Sequence, residues 1–118
     1  EAVRRAIDDL LHAHGARIDA TYMCPHHPDF DGGCDCRKPG LMMYERAIDV
    51  HGLDPARSLF AGDRWRDVAP AATLGGLPIM LDVESTPAAD LERARAESIA
   101  VATSLADAVD QFLRTLPA

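Results

Sequence analysis

Apolar and polar positions along this chain switch repeatedly between the helical period and the strand period. Val3, Ala6, Ile7, Leu10 and Leu11 recur at helical spacing and Gly15 supplies a stop, which predicts a helix over 2–14. Ile18, Ala20 and Tyr22 alternate with Asp19 and Thr21, the period of a short strand that would deliver Cys24 at its carboxyl end. A polar, turn-rich stretch follows. Leu41, Met42, Tyr44, Ala47 and Ile48 then predict a second helix over 40–50, ended by His51-Gly52, with these apolar residues serving the core. Asp54-Pro55 reads as a cap and first turn, and the short apolar run 58–61 as a buried strand ended by Gly62-Asp63. Helical character resumes over 65–74 and stops at Gly75-Gly76. Residues 77–81 form a continuous apolar strand of the kind that a parallel sheet buries on both faces. Thr86-Pro87 opens a short helix over 87–96, and 99–102 is a weak strand. Ser104, with Asp107 three residues on, caps a last helix running to Leu113.

Strands alternating with helices define an α/β class with a parallel, doubly wound sheet, arranged as a single domain over 1–118. Composition changes this picture little. A hydrophobic fraction of 47 % and a charged fraction of 26 % are ordinary for a water-soluble globular chain. The net charge of −7 argues against nucleic acid as the main partner. No apolar run approaches the length of a membrane span, and no signal peptide is visible. Metal-type cysteines suit a reducing compartment, so the expected location is the cytoplasm. The chain opens at Glu1 directly in a helical pattern, which reads as a segment of something longer.

The polar stretch from Cys24 to Pro39, CPHHPDFDGGCDCRKP, is where chemistry concentrates. It holds all three cysteines, Cys24, Cys34 and Cys36, with His26 and His27 between them. Thiolate and imidazole are the ligands zinc favours, and four of them in a tetrahedron close a structural site. Cys24-x-His26 and Cys34-x-Cys36 are two short-spaced pairs, and Gly32-Gly33 permits the sharp turn that brings them together. The zinc set is therefore Cys24, His26, Cys34 and Cys36, with His27 as the alternative to His26. A disulfide framework is the competing reading, but three cysteines cannot all pair. Free structural cysteines would sit scattered on apolar faces instead of packed into one polar loop.

Ligands in open α/β sheets bind at the carboxyl ends of the strands. Two polar clusters fall there: Arg37-Lys38, just after the cysteine loop, and Gly62-Asp63-Arg64-Trp65-Arg66-Asp67, just after the strand 58–61. Arg37 offers a planar fork for phosphate oxygens, Lys38 a point charge, and Asp63 a hard oxygen of the kind magnesium takes. Taken singly, an Arg-Lys pair reads as solvated surface and an Asp after Gly as a turn former. Their joint placement at strand ends favours a phosphate and magnesium site. Trp65 reads as packing or a rim contact, and Arg64 and Arg66 as exposed charges.

CPHHP and CDCRKPG followed by FAGDRWRDV resemble the zinc-loop phosphatases of the haloacid dehalogenase superfamily, subclass IIIA. These include heptose 1,7-bisphosphate 7-phosphatases and histidinol-phosphate phosphatases. The likeness is close over about residues 18–82 and looser elsewhere. It implies zinc on Cys24, His26, Cys34 and Cys36, and magnesium on Asp63. Lys38 would stabilise the nucleophile and the transferring phosphoryl group, Arg37 would recognise substrate, and Asp67 would be a supporting acid. Two departures stand out: CRKPG is shorter before its glycine than in many heptose phosphatases, and the zinc loop is short. The resemblance also implies an aspartyl-phosphate formed on the first Asp of a DxDG motif that follows an apolar strand. Asp29-Phe30-Asp31-Gly32 spells that pattern but follows His-His-Pro between zinc ligands, so it lacks the strand that would aim it. In the resembled fold, two strands missing from this chain lie mid-sheet, so the neighbouring edges would be left unpaired and apolar.

The expected function is that of a fragment of a magnesium-dependent phosphomonoesterase acting on a small phosphorylated sugar. Heptose 1,7-bisphosphate is the first substrate and histidinol phosphate the second. A non-catalytic zinc-stabilised module gripping a phosphate or a partner is the alternative from another class, and a nucleic-acid-binding zinc finger lacks the basic surface it would need. Replacing Cys34 by Ser is expected to abolish zinc binding, measured as metal content of the purified protein; a variant that retains its zinc contradicts the ligand set.

Overall fold

The computed structural model describes residues 2–22 and 40–116. The cysteine loop, with Cys24, His26, His27, Cys34, Cys36, Arg37 and Lys38, lies outside the described residues. The order of elements is α1 (Ala2–Ala13), α2 (Met42–His51), a 3-10 turn (Pro55–Arg57), β1 (Leu59–Gly62), α3 (Trp65–Val68), α4 (Pro70–Leu74), β2 (Leu77–Leu81), α5 (Ala88–Ala96), β3 (Ala100–Ala102) and α6 (Leu105–Thr115).

β1, β2 and β3 form a parallel sheet in that order, with Leu59 opposite Leu77 and Ile79 opposite Ala100. The apolar run of β2 is explained by its central place: both of its edges are paired and both of its faces are covered. Ile79 lies with Ala102 and Ala108 in the core, against Leu59, Leu77, Leu81 and Phe112, so α6 covers the face of the odd-numbered β2 residues. Met80 is fully buried on the other parity, with Val68 and Ala71 supplied by the helices α3 and α4. Burying side chains of this size stabilises by about 1.5–3 kcal/mol each, so β2 carries the core.

Local signals account for the element ends. Asp54 caps the 3-10 turn by accepting from Ala56 N–H at 3.0 Å, with Pro55 at its first position. Ser104 accepts from Asp107 N–H at 3.0 Å and Asp107 accepts from Thr103 N–H at 3.2 Å, a reciprocal cap at the start of α6. The helix predicted over 65–74 is in fact two. Pro70 has no N–H to donate back to the preceding turn, so α3 ends at Val68 and α4 starts at Pro70.

The strand predicted over 18–23 is not found over its described residues, 18–22. Residues 16–22 are irregular, Ile18 is exposed, and no strand among the described residues pairs with the segment. Three alternating apolar positions carry too little burial to hold an extended chain without a partner. The segment is instead tied to the end of α2, where the Tyr22 hydroxyl lies 3.1 Å from His51 Nε2. The helix α1 contributes no buried residue, and its apolar positions Val3, Ile7 and Leu10 face solvent among the described residues.

Gly76 shows how closely the layers meet. A Cβ at this position would fall 2.2 Å from Phe60 Cε1, so the Phe60 ring lies directly on the backbone before β2. Gly76→Ala is expected to destabilise the fold by about 1–3 kcal/mol in chemical denaturation, because ring and backbone must separate. An unchanged midpoint would show that Phe60 is free to move aside.

Candidate active site at the carboxyl end of the sheet

Parallel pairing places the carboxyl ends of β1 and β2 at one edge of the sheet, with Gly62 closing β1 and Asp63 beyond it, and the loop 82–86 beyond β2. Asp63 leaves β1 partly exposed, and its Oδ2 accepts from the Ser85 hydroxyl at 2.5 Å. The Ser85 hydroxyl, the residue's own backbone N–H and the Arg64 and Arg66 cations hold the Asp63 carboxyl below the ordinary carboxylate range, against a smaller opposing effect of burial. Asp63 therefore meets a cation as an anion with oxygen lone pairs to spare.

Asp67 lies one helical turn further on and folds back on β1. A Cβ on Gly62 would sit 2.4 Å from Asp67 Cβ and 2.8 Å from its Oδ2, so glycine is required for this carboxylate to pass. The carbonyl of Asp67 accepts from the Tyr44 hydroxyl at 3.2 Å, and the Tyr44 ring stacks on Phe60 at 5.6 Å. Burial, with the Asp67 charge adding to it, pushes the Tyr44 hydroxyl up to about 12. Tyr44 thus stays a neutral donor that pins α2 to the site. The same residues line a groove of about 440 Å³ along β1, with Ile48, Leu53 and Leu59 as its apolar wall.

Trp65 is packing, and the manner of it was not legible from spacing. Its backbone N–H donates to Asp90 Oδ2 at 2.9 Å, so a carboxylate from α5 caps the start of α3 where Arg64 supplies no side-chain cap. The indole Nε1–H donates to Glu97 Oε1 at 2.9 Å, and Arg93 lies 3.4 Å over the ring while bonding Glu97. The turn that presents Asp63 is therefore held from outside by α5. Among the described residues no three His, Cys, Asp or Glu side chains are grouped to hold a metal ion. Asp63 fits magnesium as a single ligand, since that ion is commonly bound by one or two carboxylates together with water and phosphate oxygens.

A family model described as HAD-hydrolase-like matches residues 35–108. The chain belongs to this family of hydrolases, in agreement with the parallel sheet and the strand-end acid. Among curated proteins it is similar to the D-glycero-beta-D-manno-heptose-1,7-bisphosphate 7-phosphatase of Bordetella bronchiseptica, 32 % identical over 117 residues that cover 96 % of this chain and 64 % of that protein. The protein of the same name from Haemophilus ducreyi is 41 % identical over 66 residues, 52 % of this chain and 36 % of its own length. The histidine biosynthesis bifunctional protein HisB of Actinobacillus pleuropneumoniae is 40 % identical over 70 residues, 59 % of this chain and 19 % of that protein. Among solved structures, the crystal structure of D,D-heptose 1,7-bisphosphate phosphatase from B. bronchiseptica with magnesium and phosphate superposes with a TM-score of 0.76 at 30 % identity. That superposition covers 98 % of this chain and 63 % of the other. The chain thus spans less than two thirds of the length of these relatives.

The Trp65 clamp yields a pH prediction. The indole N–H and then Arg93 lower the Glu97 carboxyl below its ordinary value. A carboxylate with a lowered folded pKa keeps its partners at neutral pH and loses them as pH falls through that lowered value. The emission of Trp65, the chain's single tryptophan, is expected to shift with a midpoint below the usual glutamate range, and Glu97→Gln to remove the step. A midpoint at or above the ordinary value would contradict the clamp.

Proposed function

We propose that these residues form part of a magnesium-dependent phosphomonoesterase of the cytoplasm, acting on a small phosphorylated sugar, with heptose 1,7-bisphosphate as the substrate. The observation that carries the reading is Asp63: an ionised acid at the end of β1, in a fold that superposes on a phosphatase holding magnesium and phosphate. Histidinol phosphate is the second substrate, favoured by the likeness to a bifunctional protein of histidine biosynthesis.

Asp63 would hold the magnesium ion, which when bound neutralises charge on the phosphoryl oxygens. Lys38 would place a second positive charge on the transferring group, and Arg37 would orient the substrate through paired N–H donors. Asp67, seated on Gly62, supports the turn that aims Asp63. The attacking carboxylate of the aspartyl-phosphate mechanism comes from outside these residues. Cys24, His26, Cys34 and Cys36 would hold a structural zinc ion and so fix the backbone entering Arg37-Lys38.

Joining the N-terminal part of the B. bronchiseptica relative to this chain is expected to give magnesium-dependent release of phosphate from heptose 1,7-bisphosphate. Asp63→Asn in that protein should lower kcat/KM by about 100-fold or more, the scale on which single charge-stabilising groups act. Undiminished turnover in the Asn variant would remove Asp63 from the mechanism.

A further inference from the structure

The loop between β2 and α5 is closed by bonds that leave one hydroxyl to act elsewhere. Thr86 N–H donates to the Val83 carbonyl at 3.0 Å, which makes a tight turn over 83–86. Thr86 Oγ1 donates to the Leu81 carbonyl at 2.6 Å and accepts from Val83 N–H at 3.1 Å, binding the turn to the end of β2. Pro87 then fixes the entry to α5 with its φ of −66°. The backbone path thus depends on Val83, Thr86 and Pro87. Ser85, exposed at the third place of the turn, reaches across 22 positions of sequence to Asp63 Oδ2.

We propose that Ser85 is a positioning residue for the Asp63 carboxylate, holding it in the orientation from which it takes a divalent cation. The proposal rests on the magnesium reading of Asp63 given above. Rotation of a carboxylate about its last torsion is broad and nearly unopposed, so a strand-end Asp left alone spreads its oxygens over many directions. One donated O–H fixes that plane. The carboxylate offers about four lone-pair positions, so accepting from Ser85 does not exhaust it. Orientation established before the ion arrives lowers the ordering cost of binding, which is the general effect of groups that hold a metal's ligands. The device is robust because both partners sit on short, fixed connections: Asp63 directly follows β1, and Ser85 lies in a turn bonded to β2, the strand paired with β1.

The test is a titration of the isotopically labelled 118-residue chain with Mg2+, followed at the backbone amides of Gly62, Asp63 and Arg64 by NMR, with the thermal midpoint measured in parallel. Ser85→Ala is expected to weaken the apparent Mg2+ affinity at these amides by about tenfold, the usual scale for loss of a bond to a metal ligand. Its thermal midpoint should stay unchanged, because the turn's own bonds remain. Ser85→Thr, which keeps the hydroxyl, should restore the affinity. A Ser85→Ala chain that binds Mg2+ as tightly as the unsubstituted one overturns the proposal, and tighter binding would show that the hydroxyl competes with the ion. Asp63→Asn separates the two claims: loss of the response supports the magnesium reading whatever Ser85 does. A response that survives Asp63→Asn, or that is absent from the unsubstituted chain, overturns that reading and the role of Ser85 with it.

Discussion

Parallel pairing of β1 with β2 is the constraint on which the rest of this structure depends. In a parallel pair both strands finish at the same edge, so whatever follows them must meet there. Asp63 follows one strand and the turn carrying Ser85 follows the other. The pairing is secured by the burial of β2: Ile79 faces one layer of helix and Met80 the other, with neither exposed. A site built this way inherits its rigidity from the core and not from its own few polar bonds.

A second layer of control comes from close approaches that only glycine permits. Gly62 lets Asp67 fold back over the strand end, and Gly76 lets Phe60 lie on the entry to β2. Phe60 in turn supports Tyr44, whose hydroxyl bonds the Asp67 carbonyl. The chain of contacts from Gly76 through Phe60 and Tyr44 to Asp67 joins the core to the acid beside the candidate magnesium ligand. From the opposite side, Asp90, Arg93 and Glu97 grip Trp65 through its backbone, its indole and its ring face. The exposed Arg93–Glu97 ion pair in this clamp adds little stability by itself. The effect of the clamp is to limit where the turn after Asp63 can go.

Much of this was legible in the sequence, and the rest was not for definite reasons. The strand at 77–81 was readable because a strand buried on both faces is apolar without alternation, and the chain has such a run. Ser104 and Asp107 announced α6 by local chemistry alone. Asp63 stood out because Gly-Asp after a buried strand lies where α/β sheets bind ligands. The alternation at 18–22 misled, since strand character needs a neighbouring strand that spacing cannot supply. Residues 65–74 kept helical spacing across Pro70, and the break came from a missing N–H that apolar periodicity does not register. Ser85 and Asp90 gave no signal: each bonds a group 22 or 25 positions away, and only the assembled sheet brings them together.

The central claim is that the carboxyl end of β1 is the cation-binding point of a phosphatase site. The most direct measurement is a crystal structure of the protein grown with Mn2+ in place of Mg2+ together with inorganic phosphate, with the metal located by its anomalous scattering. The account predicts an anomalous peak within coordination distance of an Asp63 carboxylate oxygen, about 2.0–2.2 Å, with phosphate beside it. A metal located away from Asp63, with phosphate bound elsewhere on the fold, would contradict it.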